Sequence, residues 1–254
     1  MRRSLRPWTL LLLFLPGCAS APQRVYTDLA ERKSKLPPVA VAADIVVVRD
    51  IAGSSEAVLI DRSLHFADAA LSLVATGLKA RGYSVGTQCT ASIGQMLDPA
   101  IGWIVRDSLE HEATVEQVPG GPPPFHLDEA LRRDSETPGR WATLVRTLWE
   151  SPPRERGAKA QRVAAAEYLQ GALGGEVAAI VTGFAWNRPR HRRSPLAASQ
   201  SGYAAWRSSN AVIQLSIVDT ATGEILWSDE RVTRRALDDR QLASMLTDLL
   251  RRMP

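Results

Sequence analysis

The chain has 254 residues, 45% hydrophobic and 23% charged, which is large and apolar enough for one good globular core. Its formal net charge is +4, but three arginines lie within the first six positions; without them, 28 basic residues face 27 acidic ones. That balance argues against nucleic acid as a partner. Two cysteines, Cys18 and Cys89, are too few for a disulfide framework or a cysteine zinc site.

The first eighteen residues have the pattern of an export signal. Three arginines precede the apolar run 10–14, which is far shorter than the roughly 20 residues of a membrane-spanning helix. Leu15-Pro16-Gly17-Cys18 follows and resembles the lipobox of bacterial lipoproteins, in which cleavage before the cysteine leaves a thiol that carries lipid. The resemblance implies a signal peptide over 1–17 and lipidation, including palmitate, on Cys18. The alternative is an ordinary secretory signal that contains a cysteine.

Residues 18–38 predict a lipidated cysteine followed by a flexible tether, because they are rich in small and polar residues and end in Pro37-Pro38. An arm that packs on the domain is the alternative. If Cys18 carries lipid, Cys89 has no partner within the chain. We therefore expect Cys89 to be buried, the alternative being a bond between two chains.

The first core element is predicted at Val39–Val48, a β-branched run without alternation that is typical of a strand buried on both faces. A helix follows, capped by Asp61 or Ser63 and ended by Gly82. Tyr83 and Val85 are predicted to start the next strand.

The middle of the chain, 86–157, is predicted to be an insertion or elaboration. Short strands are expected at 101–105 and 113–117, and the prolines and glycines of 119–124 interrupt regular structure. The spacing of Trp141, Leu144, Val145 and Leu148 predicts an amphipathic helix that ends at Ser151-Pro152. Another helix is expected over 158–173.

The last third predicts strands at 177–184, 211–218 and 225–232, with a tight turn at 219–224 in which Gly223 takes a positive φ. A helix capped by Asp238 or Asp239 closes the chain. The sequence as a whole predicts an α/β fold: a mixed β-sheet with helices packed on it, in one domain over 39–254 with a proline-rich insertion.

The segment 213–229, with its Val218-Asp219 and Thr222-Gly223-Glu224, resembles a hairpin of envelope lipoproteins. It is similar to the second half of the curli-secretion lipoprotein family and of lipoproteins that activate penicillin-binding proteins. The order of elements along the chain also matches that of these families: lipobox, strand, helix, Gly-Tyr-x-Val, hairpin and closing helix. The resemblance covers about half the chain. The resemblance implies an α/β periplasmic domain that scaffolds or activates a partner without catalysis.

The segment 187–209 is the best candidate for recognition, because clustered guanidinium groups suit phosphates and carboxylates through forked hydrogen bonds. Lipid head groups, phosphorylated glycans, peptidoglycan carboxylates and an acidic protein are possible targets, and a merely solvated loop is the alternative. The segment is too charged for a pore strand. The candidate partner-binding residues are Arg188, Arg190, His191, Arg192, Arg193, Trp206 and Arg207.

Catalytic motifs are absent from the sequence. The four histidines lack the spacing of a helix-borne metal pair, and neither a Gly-x-Ser-x-Gly elbow nor a phosphate-binding Gly-x-x-x-x-Gly-Lys-Ser/Thr occurs. We therefore predict no catalytic residue, metal or cofactor. An envelope enzyme acting on glycans or lipids, with its site in 86–140, is the alternative, and a module that binds a small anion is another.

Together these patterns predict a lipid-anchored bacterial envelope protein that binds or scaffolds a protein or cell-wall partner in the periplasm. Ala19 follows the candidate lipidated cysteine. By resemblance to Gram-negative lipoproteins, it favours the periplasmic face of the outer membrane over the inner membrane. The oligomeric state is left open.

Overall fold

The computed structural model describes residues 24–25, 29, 35–51, 55–93, 103–106, 114–117, 126–131, 135–150, 162–163, 166–187 and 210–254. The strands are β1 (Arg24–Val25), β2 (Val39–Ile51), β3 (Ser55–Leu59), β4 (Val85–Thr90), β5 (Ser92–Ile93), β6 (Trp103–Arg106), β7 (Thr114–Gln117), β8 (His126–Leu127), β9 (Val177–Trp186), β10 (Ala211–Asp219) and β11 (Ile225–Thr233). The helices are α1 (Ile60–Ala80), α2 (Thr137–Glu150), α3 (Glu167–Leu173) and α4 (Asp239–Arg252).

A mixed sheet forms the centre of the fold. Eight strands follow the order β1-β11-β10-β9-β2-β3-β6-β7, and β4 pairs with β2 off this path. The strand β2 is parallel to β9 along one edge; along the other it is parallel to β4 and, further on, antiparallel to β3. The predicted α/β architecture, a mixed sheet with helices packed on it, is confirmed.

Helices cover both faces of this sheet. On one face α1 packs on β2, and α4 packs on α1, β10 and β11. On the other face Trp141 of α2 donates a hydrogen bond to Asp44 Oδ2 at 3.1 Å, and Gln214 donates one to the backbone oxygen of Leu148 at 3.2 Å. Because it is covered on both faces, β2 has no residue from Val39 to Val48 that is more than 1% exposed, as its composition predicted.

The start of α1 differs from the prediction. The helix begins at Ile60, and its N-cap Leu59 makes no side-chain capping bond. Since β3 runs straight into α1, Ser63 takes another role: its hydroxyl donates to the Leu59 carbonyl at 2.7 Å and accepts from the Val47 amide at 2.9 Å. The predicted cap at Asp61 or Ser63 is therefore wrong, whereas Gly82 has the expected positive φ, of 82°.

Part of the region 86–157 belongs to the main sheet and its core. The two strands expected at 101–105 and 113–117 are present as β6 and β7, antiparallel with Trp103 opposite Gln117. The strand β6 joins the main sheet beside β3. The helix expected from the Trp141–Leu148 spacing is α2, and its Trp141 is fully buried.

The helix predicted over 158–173 is wrong in its first part. Arg162 forms an antiparallel bridge with Glu224, and the neighbouring Val163 donates its amide to the Gly223 carbonyl at 2.7 Å. These bonds to the turn after β10 compete with helical ones. Among the described residues of this stretch, the helix α3 covers only Glu167–Leu173.

The C-terminal third contains the strands, turn and helix that its sequence predicts. β9, β10 and β11 form consecutive antiparallel pairs, and Gly223 in the turn has a φ of 72°. Asp238 caps α4, since its carboxylate accepts a hydrogen bond from the Gln241 amide at 2.7 Å. The apolar stripe of α4 is buried, as expected from its spacing.

The described residues of the predicted tether 18–38 contact the domain. Arg24 and Val25 pair with Ser228 and Trp227 at the edge of the sheet, and Leu29 is 1% exposed. These contacts agree with the ordered arm that the sequence left as an alternative. Of the described residues that contact the domain, Arg24 is the one nearest to Cys18 in the sequence.

Close packing on the α1 and α4 face depends on a glycine. Ile45, Gly183 and Ile213 are register partners across β2, β9 and β10. A Cβ at Gly183 would lie 2.6 Å from Ile213 Cδ1 and 3.0 Å from Ile45 Cγ1. The two isoleucines thus occupy the space that a larger residue would need.

We expect Gly183→Ala to lower the free energy of unfolding by about 1–3 kcal/mol, because the added methyl overpacks the core. Gly171→Ala is the matched control: Gly171 lies in α3 with nothing within 4 Å of its added Cβ. Alanine there should raise the free energy by up to about 1 kcal/mol through helix propensity. Urea unfolding measures both changes, and a Gly183→Ala variant as stable as wild type would contradict this packing.

Candidate functional site

Hydrogen bonds at the ends of four strands fix the residues on either side of the segment 188–209. The Trp186 amide donates to the Asn210 carbonyl at 2.8 Å, and the Asn187 amide donates to the Val48 carbonyl at 2.9 Å. The Asn210 amide in turn donates to the Thr233 carbonyl at 2.7 Å. These bonds connect β2, β9, β10 and β11, so the segment leaves and re-enters the fold at one fixed place.

Two arginines outside this segment form hydrogen bonds with its flanking asparagines. Arg62 of α1 donates a hydrogen bond to the Asn187 side-chain oxygen, and the Asn210 side-chain amide donates to the Arg234 carbonyl. Arg235 follows, and its amide donates to Thr233 Oγ1 at 3.1 Å. We call this part of the sheet, with Arg62, Asn187, Asn210, Arg234 and Arg235, the arginine end.

The predicted partner-binding residues lie between the two asparagines. Arg188, Arg190, His191, Arg192, Arg193, Trp206 and Arg207 are all outside the described residues, as is Cys18. The structure describes the two flanking positions, Asn187 and Asn210, which are adjacent in the sheet. The predicted segment of five arginines and no acidic residue is therefore attached at the arginine end.

Sequence reasoning missed Arg234 and Arg235 as members of this site. Both are exposed, and neither forms an ion pair with another described residue. A signal was available: β10 and β11 form a hairpin, so the residue after β11 returns to the level at which β10 begins. The register pairs Ala211 with Thr233, which places Arg234 beside Asn210.

Two acidic residues at this end are already engaged. Asp238 caps α4, and Asp239 Oδ1 lies 2.7 Å from His65 Nε2. The described charges at this end are thus mixed in sign, and the sequence between Asn187 and Asn210 adds five arginines and no acidic residue.

A second polar feature is buried under α2. The register places Asp44, Thr182 and Gln214 in one row across the sheet, each no more than 2% exposed. Gln214 Nε2 donates to Ser228 Oγ at 3.0 Å, and this oxygen lies 2.8 Å from Ser216 Oγ. The row is sealed from solvent, so its hydrogen bonds serve packing rather than contact with a substrate.

Cys89 and Tyr168 lie close to this row. Cys89 is a buried free cysteine, as predicted, and is the register partner of Ala42 in β2. Burial, with a smaller contribution from the charge of Asp128, raises the pKa of its thiol to about 12. Burial also raises the pKa of the Tyr168 phenol, with Cys89 and Asp44 adding to that shift. Both groups are therefore neutral at ordinary pH, and the thiol is a poor nucleophile.

We expect stability to fall above pH 9, because the fold holds the Cys89 proton that the unfolded chain releases. The stabilisation is complete below the ordinary thiol pKa of 9.0 and is lost as pH rises towards about 12. The slope should be about 1.4 kcal/mol per pH unit, the value for one proton.

Cys89→Ala should remove this slope between pH 9 and 10, as measured by urea unfolding at several pH values. Tyr83→Phe is the control: burial raises the Tyr83 pKa from 10.0, despite the opposing effect of Arg81, so Tyr83 acts only at higher pH. An unchanged slope in Cys89→Ala would show that the thiol titrates as if exposed.

Within the described ranges, no three His, Cys, Asp or Glu side chains group so as to hold a metal ion, and no helix is long and apolar enough to cross a membrane. No protein-family model, curated protein or solved structure matches this chain. The arginine end is thus identified by its own geometry and charge.

Proposed function

We propose that this chain is a lipid-anchored protein of the bacterial envelope whose α/β domain binds an anionic partner, a protein or a cell-wall component, at the arginine end. The observation that carries the proposal is the clamped base of the segment 188–209. Because hydrogen bonds from four strands hold its two ends, the five arginines of the segment are attached to a rigid support. A fixed support reduces the entropy lost when guanidinium groups bind a partner.

The sequence supports the anchor through the lipobox-like Leu15–Cys18, and it supports the envelope role through the hairpin of 213–229 that resembles envelope lipoproteins. We propose the periplasmic face of the outer membrane as the location. The proposed role is non-catalytic. The buried carboxylate of Asp44 accepts a hydrogen bond from Trp141 and has no exposure to solvent.

Lipidation is tested by metabolic labelling of cells with a palmitate analogue. Wild type should incorporate the label, and Cys18→Ala should lose it, because the thiol of Cys18 is the attachment point. Cys89→Ala is the matched control, since Cys89 is the other cysteine of the chain and is buried. Equal labelling of Cys18→Ala and wild type would refute the anchor.

Partner binding is tested by photo-crosslinking in cells from a residue analogue at Arg190 or Trp206. We expect a specific adduct at both positions, because they lie in the segment held at the arginine end. The control position is Ser84, which is exposed beside the first residue of β2 and thus at the opposite end of the sheet. The same adducts from Ser84, or none from the segment, would contradict this surface.

A further inference from the structure

The direction of β1 shows from which side the chain enters the domain. Arg24 is opposite Ser228 and Val25 is opposite Trp227, so β1 runs antiparallel to β11. The strand β11 ends at Thr233, beside the arginine end. The N-terminal end of β1 therefore faces the side of the sheet where Arg234 and Arg235 lie.

The length of chain before β1 restricts the position of the anchor. Arg24 lies six positions after Cys18, so the two are within about 22 Å of each other even when the chain is fully extended. Arg234 lies six positions after Ser228, a distance of about 20 Å along β11. A chain of this length is therefore long enough for Cys18 to reach the level of Arg234.

Three exposed arginines lie along this side of the domain. Arg234 and Arg235 follow β11, and Arg240 is in the first turn of α4, where the helix dipole disfavours a positive charge. None of the three forms an ion pair with a described residue, whereas the neighbouring Asp238 and Asp239 are occupied by the α4 amide and by His65. The three arginines are thus available for contact and outnumber the two neighbouring aspartates, whose carboxylates keep their negative charge when they accept hydrogen bonds.

We propose that the arginine end lies against the membrane that holds the lipid anchor, with Arg234, Arg235 and Arg240 in contact with the anionic head groups of phospholipids. This inference rests on the proposed anchor and names the anionic partner of the same site. Each arginine near an anionic bilayer contributes about 1 kcal/mol of attraction, which falls off within a Debye length of about 10 Å. The short chain before β1 limits how far the domain can lie from the membrane, and the lipid keeps the domain at the surface, where this attraction acts.

The membrane contact is tested without the lipid, so that it is measured separately from the anchor. The mature chain from residue 18 with Cys18→Ser is mixed with vesicles of phosphatidylglycerol and phosphatidylethanolamine, or of phosphatidylcholine alone, at 100 mM salt. Co-flotation gives the partition coefficient. The variant is Arg234→Glu with Arg235→Glu, and the control is Lys35→Glu with Lys79→Glu, which makes the same change in charge.

The two control lysines are exposed at the opposite end of the fold. Lys35 precedes the first residue of β2, and Lys79 is in the last turn of α1, which runs towards the start of β4. Circular dichroism and the thermal midpoint show whether each variant keeps the fold. All four residues are exposed, so we expect both variants to fold as wild type does.

We expect binding to the anionic vesicles and not to phosphatidylcholine, with a partition coefficient at least tenfold lower in the arginine variant and changed less than twofold in the control. Equal losses in the two variants would refute a specific surface, since net charge alone would then explain binding. Failure of the unaltered arginine end to bind anionic vesicles would also overturn the proposal. If the segment 188–209 then crosslinks an acidic protein, that protein is the partner instead.

The anchor and the membrane contact fail separately. If wild type takes up no palmitate label but its vesicle binding depends on the arginines, the membrane-binding surface is supported and the anchor is refuted. Labelling on Cys18 without vesicle binding would have the opposite meaning: a lipoprotein whose arginine end faces away from the membrane.

Discussion

From Val39 to Val48 the strand β2 has no side that meets water, and the rest of the fold follows from this constraint. Backbone groups on both edges need partners, which β9 supplies on one edge and β4 and β3 on the other. Its two faces need apolar cover, so α1 lies on one and α2 on the other. Asp44 in the middle of the strand is then buried as well. An unpaired buried carboxylate costs several kcal/mol, which explains why α2 places the indole N–H of Trp141 against it.

This constraint also separates the two polar regions of the molecule. Asp44, Thr182 and Gln214 lie in one row across the middle of the sheet, and helices keep them from solvent. Such a row favours one register of β2, β9 and β10, because a slip by one residue would move the polar side chains to the other face. The arginine end lies where the strands stop and helical cover ends. Its charged groups keep their hydration there.

The arm before β2 is attached to the edge of the sheet. Pairing of Arg24 and Val25 with β11 covers the edge strand of the sheet, and the burial of Leu29 holds the arm in place. This attachment gives β1 a fixed direction, because antiparallel pairing with β11 sets which end of the sheet the N-terminal end of β1 faces. A free tether of the same length would leave the domain able to rotate. The placement of the arginines relative to the candidate anchor therefore depends on two residues of β-pairing.

Local patterns in the sequence predicted most elements of the fold. The apolar run of β2, the stripe of α4 and the turn at Gly223 depend on side-chain spacing and backbone preference, which are properties of neighbouring residues. The start of α1 and the shortened α3 escaped prediction, because Ser63 bonds to β2 and Arg162 to the turn after β10.

For the candidate site, the order of residues along the chain was enough to find the cluster of arginines in 188–209 and the candidate anchor at Cys18. The folded sheet was needed to bring Arg62, Arg234 and Arg235 to one end, and to show that β1 has its N-terminal end on that side. Local patterns could not predict this, because hydrogen bonds between strands join residues far apart in the chain and their register is a property of the assembled sheet.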